Sequence, residues 1–294
     1  MNILTFDIEE WFHILDNDST RSEKQWSRYE SRIHNNTERI FGILERHRLK
    51  ATFFCLGWIA RKYPEIIKRI DRAGFEVACH SSMHQLVYEQ TPEQFRHDLM
   101  EGLSILEDTI GKKVITYRAP GFSITENCKW AFEILAENGI QNDSSVFPAE
   151  RLNGGLPTYA ERNPSLIRAG RNIIREFPIN TKKILGKPFV FSGGGYFRLF
   201  PYFLIKKWTS ETDYVMSYLH PRDFDHDQPV IEELPAGRKF RSYIGLKGAE
   251  RKLSKWLSDF EFIDMRTAAK RINWNEARVI NLEVTKVPEL EEVW

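Results

Sequence analysis

The chain has 294 residues, 41% of them apolar, enough to build the buried core of one large α/β domain or two small ones. Lys and Arg number 42 against 41 Asp and Glu, a balance that argues against a nucleic-acid or membrane-surface partner chosen by bulk charge. Cys55, Cys79 and Cys128 are odd in number and lack a CxxC spacing, so neither a disulfide framework nor a cysteine-built zinc knuckle is expected, and a reducing, cytoplasmic setting is.

Strand-like runs alternate with helical patterns along most of the chain. NILTFDI (2–8) reads as a strand entered at once, without a basic or apolar leader, and no segment approaches the ~18 apolar residues of a membrane span. NNTERIFGILERHRL (35–49) has Ile40, Ile43 and Leu44 at helical spacing, ATFFCLG (51–57) is a second strand, and PEIIKRIDRAG (64–74) is a helix opened by Pro and closed by Gly. FEVACH (75–80) is the third strand. TPEQFRHDLMEGLSILEDTIG (91–111) is the clearest helix: Thr91 and Gln94 form a capping box, Phe95, Leu99, Leu103, Leu106 and Ile110 make one stripe, and Gly111 ends it. Strand VITYRAP (114–120), helix TENCKWAFEILAENG (125–139) and strand IQNDSSVF (140–147) follow.

A loop-rich insertion is expected near 148–172, where Gly154, Gly155, Pro157 and Pro164 cluster. IIREFPI (173–179), YVMSYLH (214–220) and FEFIDM (260–265) are further strands. Between them, YFRLFPYFLIKKW (196–208) is aromatic and basic enough for peripheral contact with lipid, although a core helix is the plainer reading. Alternating units without a GxGxxG after the first strand predict an α/β fold, a distorted (β/α) barrel of about seven parallel strands. No linker composition appears, so residues 1–294 read as a single domain, with its motifs in 5–220 and with 221–294 a C-terminal extension of the same unit.

Asp7, His80, Arg118, Asp143 and His220 all fall at carboxyl ends of predicted strands, the face where such folds assemble their sites. In HSSMH, His80 and His84 curl into one turn, as i and i+4 residues would, and neutral imidazoles suit zinc and its neighbours. In TFDIEE, alternation returns Glu9 to the face of Asp7, so that one carboxylate can bind a metal and the other act as a base. Arg118 can orient a carboxylate, and a histidine backed by a carboxylate is a positioned general acid. The acidic run PRDFDHDQP (221–229) is expected to be a solvated loop, SGGGYF (192–197) a flexible loop over the site, and Cys79 a core thiol.

TFDIEE, HSSMH, RAPG, DSSVFP and YLH, in this order over residues 5–220, resemble the ordered motifs of the NodB-homology polysaccharide deacetylases. The later stretches resemble the subgroup associated with bacterial exopolysaccharide and surface-polysaccharide clusters. The resemblance implies a divalent metal, most expectedly Zn²⁺ with Co²⁺, Ni²⁺ or Mn²⁺ as alternatives, and hydrolysis of the N-acetyl group of an amino sugar carried on a nucleotide, lipid or polymer. It places the catalytic base on Asp7, its orienting arginine on Arg118, the general acid on His220 and that histidine's partner on Asp143. His80 and His84 fall on the metal histidines. Ile8 stands where the family has a second Asp, so Glu9 takes the metal carboxylate role, with Glu10 the lesser candidate. Trp11, Pro120, Tyr218 and Leu219 fall at the substrate, the last two around the acetyl methyl. A deformylase or other C–N amide hydrolase on the same scaffold, and an inactive carbohydrate-binding homologue, are the competing expectations.

Overall fold

The computed structural model describes residues 1–15, 17–150, 154–184 and 186–282. Its strands are β1 (Asn2–Ile3), β2 (Thr5–Ile8), β3 (Thr52–Cys55), β4 (Glu76–Cys79), β5 (Thr116–Tyr117), β6 (Asn142–Asp143), β7 (Ser165–Ala169), β8 (Asn172–Glu176), β9 (Lys182–Ile184), β10 (Lys187–Phe189), β11 (Val215–Met216), β12 (Phe262–Ile263) and β13 (Val279–Asn281). β2, β3, β4, β5, β6 and β8 pair successively and in parallel. β11 is parallel to β1, and a bridge from Leu219 to Phe6 carries that pairing up beside β2. These seven strands, helices between them, form an α/β barrel-like fold.

The barrel is distorted where β8 should meet β11. Val146 O accepts the N–H of Ile179 on one side of this gap, and across it the Asn180 side chain, through Oδ1, accepts the N–H of Met216. A side chain here does the work of a strand ladder. β1 sits between β11 and β12, so the segment after residue 221 contributes a strand beside the N-terminus.

Local chemistry explains the elements. In the helix Pro92–Ile110, Thr91 Oγ1 accepts the N–H of Gln94 while Gln94 Oε1 accepts the N–H of Thr91, and Gly111 ends the helix at φ 67°. Phe95, Leu99, Leu103 and Leu106 are buried in the main core, together with Cys79 on the helix-facing side of β4. The strands read near-continuously apolar because they are covered on both faces, as in Thr52–Cys55, where every residue is buried.

The expected loop-rich insertion at 148–172 needs correction. Its last part is β7, antiparallel to β8 across a tight turn at Gly170 (φ 59°), with burial alternating along Ser165–Ala169. The Pro and Gly residues upstream masked a hairpin whose first strand is only five residues long.

Candidate metal centre and active site

Glu9, His80 and His84 converge. Glu9 Oε1 lies 2.9 Å from His80 Nε2 and 3.0 Å from His84 Nε2, and all three residues are buried. Glu9 follows directly on β2, and His80 directly on β4. His84 arrives differently from expectation. Residues 80–84 are not a helical turn: Ser81 (φ 71°) and His84 (φ 56°) occupy the left-handed region, at a cost of about 1–3 kcal/mol each. The loop is fixed by Asp98, whose carboxylate accepts the N–H groups of Ser82 and Met83 at 3.0 Å, and by Ser81 Oγ, which accepts that of His84 at 2.9 Å. The absence of a side chain at Gly102 lets this loop lie against the helix, since a Cβ there would be 3.1 Å from the Ser81 and Ser82 backbone.

The donor set fits a divalent cation. His80 Nδ1 is 2.7 Å from the carbonyl of Arg118, which can only accept, so Nδ1 donates there and Nε2 is the ring nitrogen turned to Glu9. Nε2 faces a carboxylate oxygen at hydrogen-bond distance, an arrangement that a shared proton or a divalent cation between them satisfies. Burial opposes the charge on Glu9, but His84, His80 and His220 outweigh it and hold the carboxyl well below its usual range. Glu10 is excluded from this set. It points away and accepts from Ser31 Oγ and the N–H groups of Arg32 and Ile33 at the start of helix Ile33–His47.

Asp7 stands beside the triad and is itself held from behind. Arg118, fully buried, donates from Nη1 to Asp7 Oδ1 at 2.7 Å and to Thr5 Oγ1 at 2.8 Å, and from Nη2 to Ser144 Oγ at 3.0 Å, while Phe54 stacks on it at 4.0 Å. Asp7 Oδ2 is left toward His220, whose Nε2 is 3.9 Å from it and from Glu9 Oε1.

The partner of His220 is Asp223, not Asp143. Asp223 Oδ2 accepts the His220 backbone N–H at 2.9 Å and faces Nδ1 at 3.2 Å, and Arg198 pairs with the other oxygen at 3.0 Å. Burial would raise the Asp223 carboxyl, but Arg198 and His220 hold it at about 2; burial lowers His220, but Asp223, Glu9 and Asp7 raise it to about 9. Asp143 instead accepts from the N–H and Oγ of Ser145 and lies in register with Glu176 on β8. Both carboxyls are fully buried and both are pushed up, by burial first and, for Glu176, by Asp143 next. Both carboxyls thus lean toward the protonated form, Glu176 the more strongly.

The cleft in front has a volume of about 450 Å³. Tyr218 lines it, edge-on to Phe122 at 5.2 Å and to His220 at 5.9 Å. Trp11, Pro120 and Leu219 do not. Trp11 is turned into the core against Phe12 and Tyr29, its Nε1 donating to Glu30 O; Leu219 is buried in the barrel beside Phe6; Pro120 is buried and starts the turn that presents Gly121 and Phe122. The acidic run after His220 is likewise not a solvated loop as a whole: Asp223 and Asp225 are buried, Asp225 against Arg32 and Asn36, while His226, Asp227 and Pro229 are exposed. Gly193–Gly195 run into the short helix Gly194–Leu199, and Gly194 and Gly195 line the cleft.

Sequence reasoning missed Asp223, Arg198, Glu176 and His13. The three-residue spacing of His220 and Asp223 was the available signal for the first. His13 is buried against Trp26 and 5.8 Å from His84, accepts at Nδ1 from the Glu10 N–H, and leaves Nε2 without a hydrogen-bond partner. No periodicity marks it.

Residues 4–141 match the family model described as polysaccharide deacetylase. Residues 4–141 thus form a polysaccharide deacetylase-family region. Residues 144–270 match a domain of unknown function, DUF3473. Among relatives of the chain, a peptidoglycan-N-acetylglucosamine deacetylase of Bacillus cereus is 35% identical over 98 residues, 33% of this chain and 36% of the relative. A bifunctional xylanase/deacetylase of Pseudobutyrivibrio xylanivorans is 24% identical over 163 residues, 54% of this chain and 26% of its own. The chain thus spans about a third or less of the length of these two curated relatives. A crystal structure described as a polysaccharide deacetylase from Mycobacterium smegmatis superposes with a TM-score of 0.63 at 20% identity, covering 97% of this chain and 93% of that one. A 4-alpha-glucanotransferase from Thermococcus litoralis also superposes, with a TM-score of 0.58 at 12% identity over 96% of this chain and 42% of that one; both likenesses are of fold.

Proposed function

We propose that the chain is a metal-dependent N-deacetylase removing the acetyl group from an amino sugar in surface-polysaccharide biosynthesis. The observation that carries this reading is one carboxylate oxygen, Glu9 Oε1, within 3.0 Å of two imidazole Nε2 atoms, flanked by Asp7 and His220. Glu9, His80 and His84 would hold the cation, for which the imidazole and carboxylate donors favour zinc, with Co²⁺, Ni²⁺ and Mn²⁺ as alternatives. When bound, it supplies Lewis-acid activation of water and of the amide carbonyl.

Each remaining residue has a stated task. Asp7 takes the proton of the attacking water at Oδ2, because Arg118 occupies Oδ1 and leaves Oδ2 toward the cleft. His220, fixed at Nδ1 by Asp223, gives a proton from Nε2 to the departing amine nitrogen. The C–N bond breaks, and acetate and a free amino sugar result. Tyr218 and Phe122 form the wall against which the acetyl methyl rests. The three buried free thiols support a reducing compartment. Among the described residues, no helix is long and apolar enough to cross a membrane.

Elemental analysis with an acetate-release assay tests this. Wild type should carry about one equivalent of metal and release acetate from N-acetylated sugars, and His84→Ala should lose the metal. Asp7→Asn should keep the metal and lose about 10²–10⁴-fold in turnover. Turnover within a few-fold of wild type in Asp7→Asn would remove Asp7 as the base, and formate in place of acetate would make the enzyme a deformylase.

A further inference from the structure

The cleft has a second end that the chemistry above leaves unused. Arg222 follows His220 in the turn Pro221–Phe224, and Arg238 and Arg241 stand one helical turn apart on the helix Ala236–Tyr243. All three line the cleft that holds Asp7, Glu9 and His220. Arg198 lines it too, but is committed: besides its pair with Asp223 it donates to the carbonyls of Ile244 at 2.8 Å and Arg241 at 3.1 Å, tying the helix to the site. Gly195 permits that close approach, because a Cβ there would lie 2.6 Å from the Arg241 carbonyl oxygen.

Arg222 and Arg241 are not matched by carboxylates. Arg222 Nε donates to a neutral acceptor, Gln228 Oε1, at 3.1 Å, the guanidinium lies 5.7 Å from the Tyr243 ring, and Nη2 has no acceptor among the described residues. Arg241 is exposed, and its guanidinium makes no ion pair among the described residues. Apart from Asp7 and Glu9, the acidic groups lining the cleft are Asp223, already taken by Arg198 and His220, and the exposed Glu150. Two guanidinium groups, Arg222 and Arg241, therefore face a concave space without a carboxylate partner among the described residues, beside Arg198, paired with Asp223, and Arg238, which donates to Leu15 O. Like charges so placed repel one another and are relieved by an entering anion. The planar fork of each guanidinium matches two oxygens of a phosphate or a carboxylate.

We propose that this end of the cleft binds an oxyanion carried by the substrate, so that the amino sugar is recognised as part of an anionic saccharide. The anion is either a phosphate through which the sugar is linked or the carboxylate of a neighbouring acidic sugar. This deepens the deacetylase reading and rests on it for the identity of the reacting sugar, while anion binding itself is measurable without turnover.

Calorimetric titration of the full chain, as purified, with glucose 1-phosphate, glucuronate and methyl glucoside tests it, in wild type and in Arg241→Glu. At least one anionic probe should bind about tenfold or more tighter than the neutral glucoside, weaken as salt is raised, and lose about tenfold in Arg241→Glu. The tighter of the two anions names the source. Equal or undetectable binding of both anions relative to the glucoside, or anion binding unchanged in Arg241→Glu, would overturn the proposal. Acetate release from a neutral N-acetylglucosamine oligomer at a kcat/KM equal to or above that from an N-acetylated sugar carrying the phosphate or carboxylate would overturn it while leaving the deacetylase reading intact. Anion binding without acetate release from any sugar would do the reverse.

Discussion

At the residue scale, Asp223 is the pivot between two charged groups that would otherwise be buried without a counter-charge. Asp223→Asn should destabilise the fold by about 3–5 kcal/mol, because Arg198 is left buried and unpaired, and should lower kcat more than it raises KM. The pH dependence has a defined sign. The carboxyl sits at about 2 in the fold against an ordinary aspartate value of 3.8, a difference that stabilises the native state by about 2 kcal/mol at pH above that ordinary value. That contribution is lost as pH falls from about 4 toward 2. Denaturant unfolding of wild type and Asp223→Asn should therefore converge in acid and separate at neutral pH; a gap that stays constant with pH would assign the destabilisation to packing alone.

At the element scale, the 80–84 loop is held by its neighbours rather than by its own sequence. Gly102→Ala tests this, since the new methyl must push on the Ser81–Ser82 backbone from 3.1 Å. The gain in helix propensity, up to about 1 kcal/mol, should be outweighed by about 1–3 kcal/mol of overpacking, and metal affinity should fall with it. Thermal unfolding and competitive chelation measure the two effects, and a stabilised variant with full affinity would show that the loop moves freely. The same contrast explains what was legible in the sequence. The helix Pro92–Ile110 could be read to within a residue because its cap, stripe and terminating glycine are local signals. The placement of His80, Arg118 and Asp7 followed from strand ends. The left-handed path to His84, the turning of Trp11 into the core and the choice of Asp223 over Asp143 depend on contacts distant in sequence, which no local pattern records.

At the scale of the whole molecule, an even overall charge conceals its distribution. A net +1 gave no hint that four arginines would gather at one end of the cleft while three carboxylates serve the other chemistry. The two regions matched by separate family models also share one architecture. β1, from the N-terminus, pairs on one side with β11 and on the other with β12, and Asp225 reaches back to Arg32 and Asn36. We therefore expect residues 1–220 expressed alone to fail to unfold cooperatively, since they lack β12, Asp223 and the helix Leu246–Asp259 with its buried Leu253 and Trp256. A sharp, reversible melt of that fragment would divide the molecule into two domains.

The pairing of Asp143 with Glu176 has a consequence for how the barrel tolerates its own polarity. Glu176 and Asp143 lie in register with one another, Arg118 is attracted to Asp143 and donates to Asp7, and a proton held between the two buried carboxyls would leave one anion rather than two behind Arg118. Removing that proton would place two adjacent anions behind one cation and draw Arg118 rearward, away from Asp7. Such a proton would be a structural component, since Asp143 and Glu176 are both sealed from water. An infrared band of a protonated carboxylic acid should persist in this protein at neutral pH and vanish in Glu176→Gln, a substitution that keeps the shape of the side chain and makes neutrality permanent.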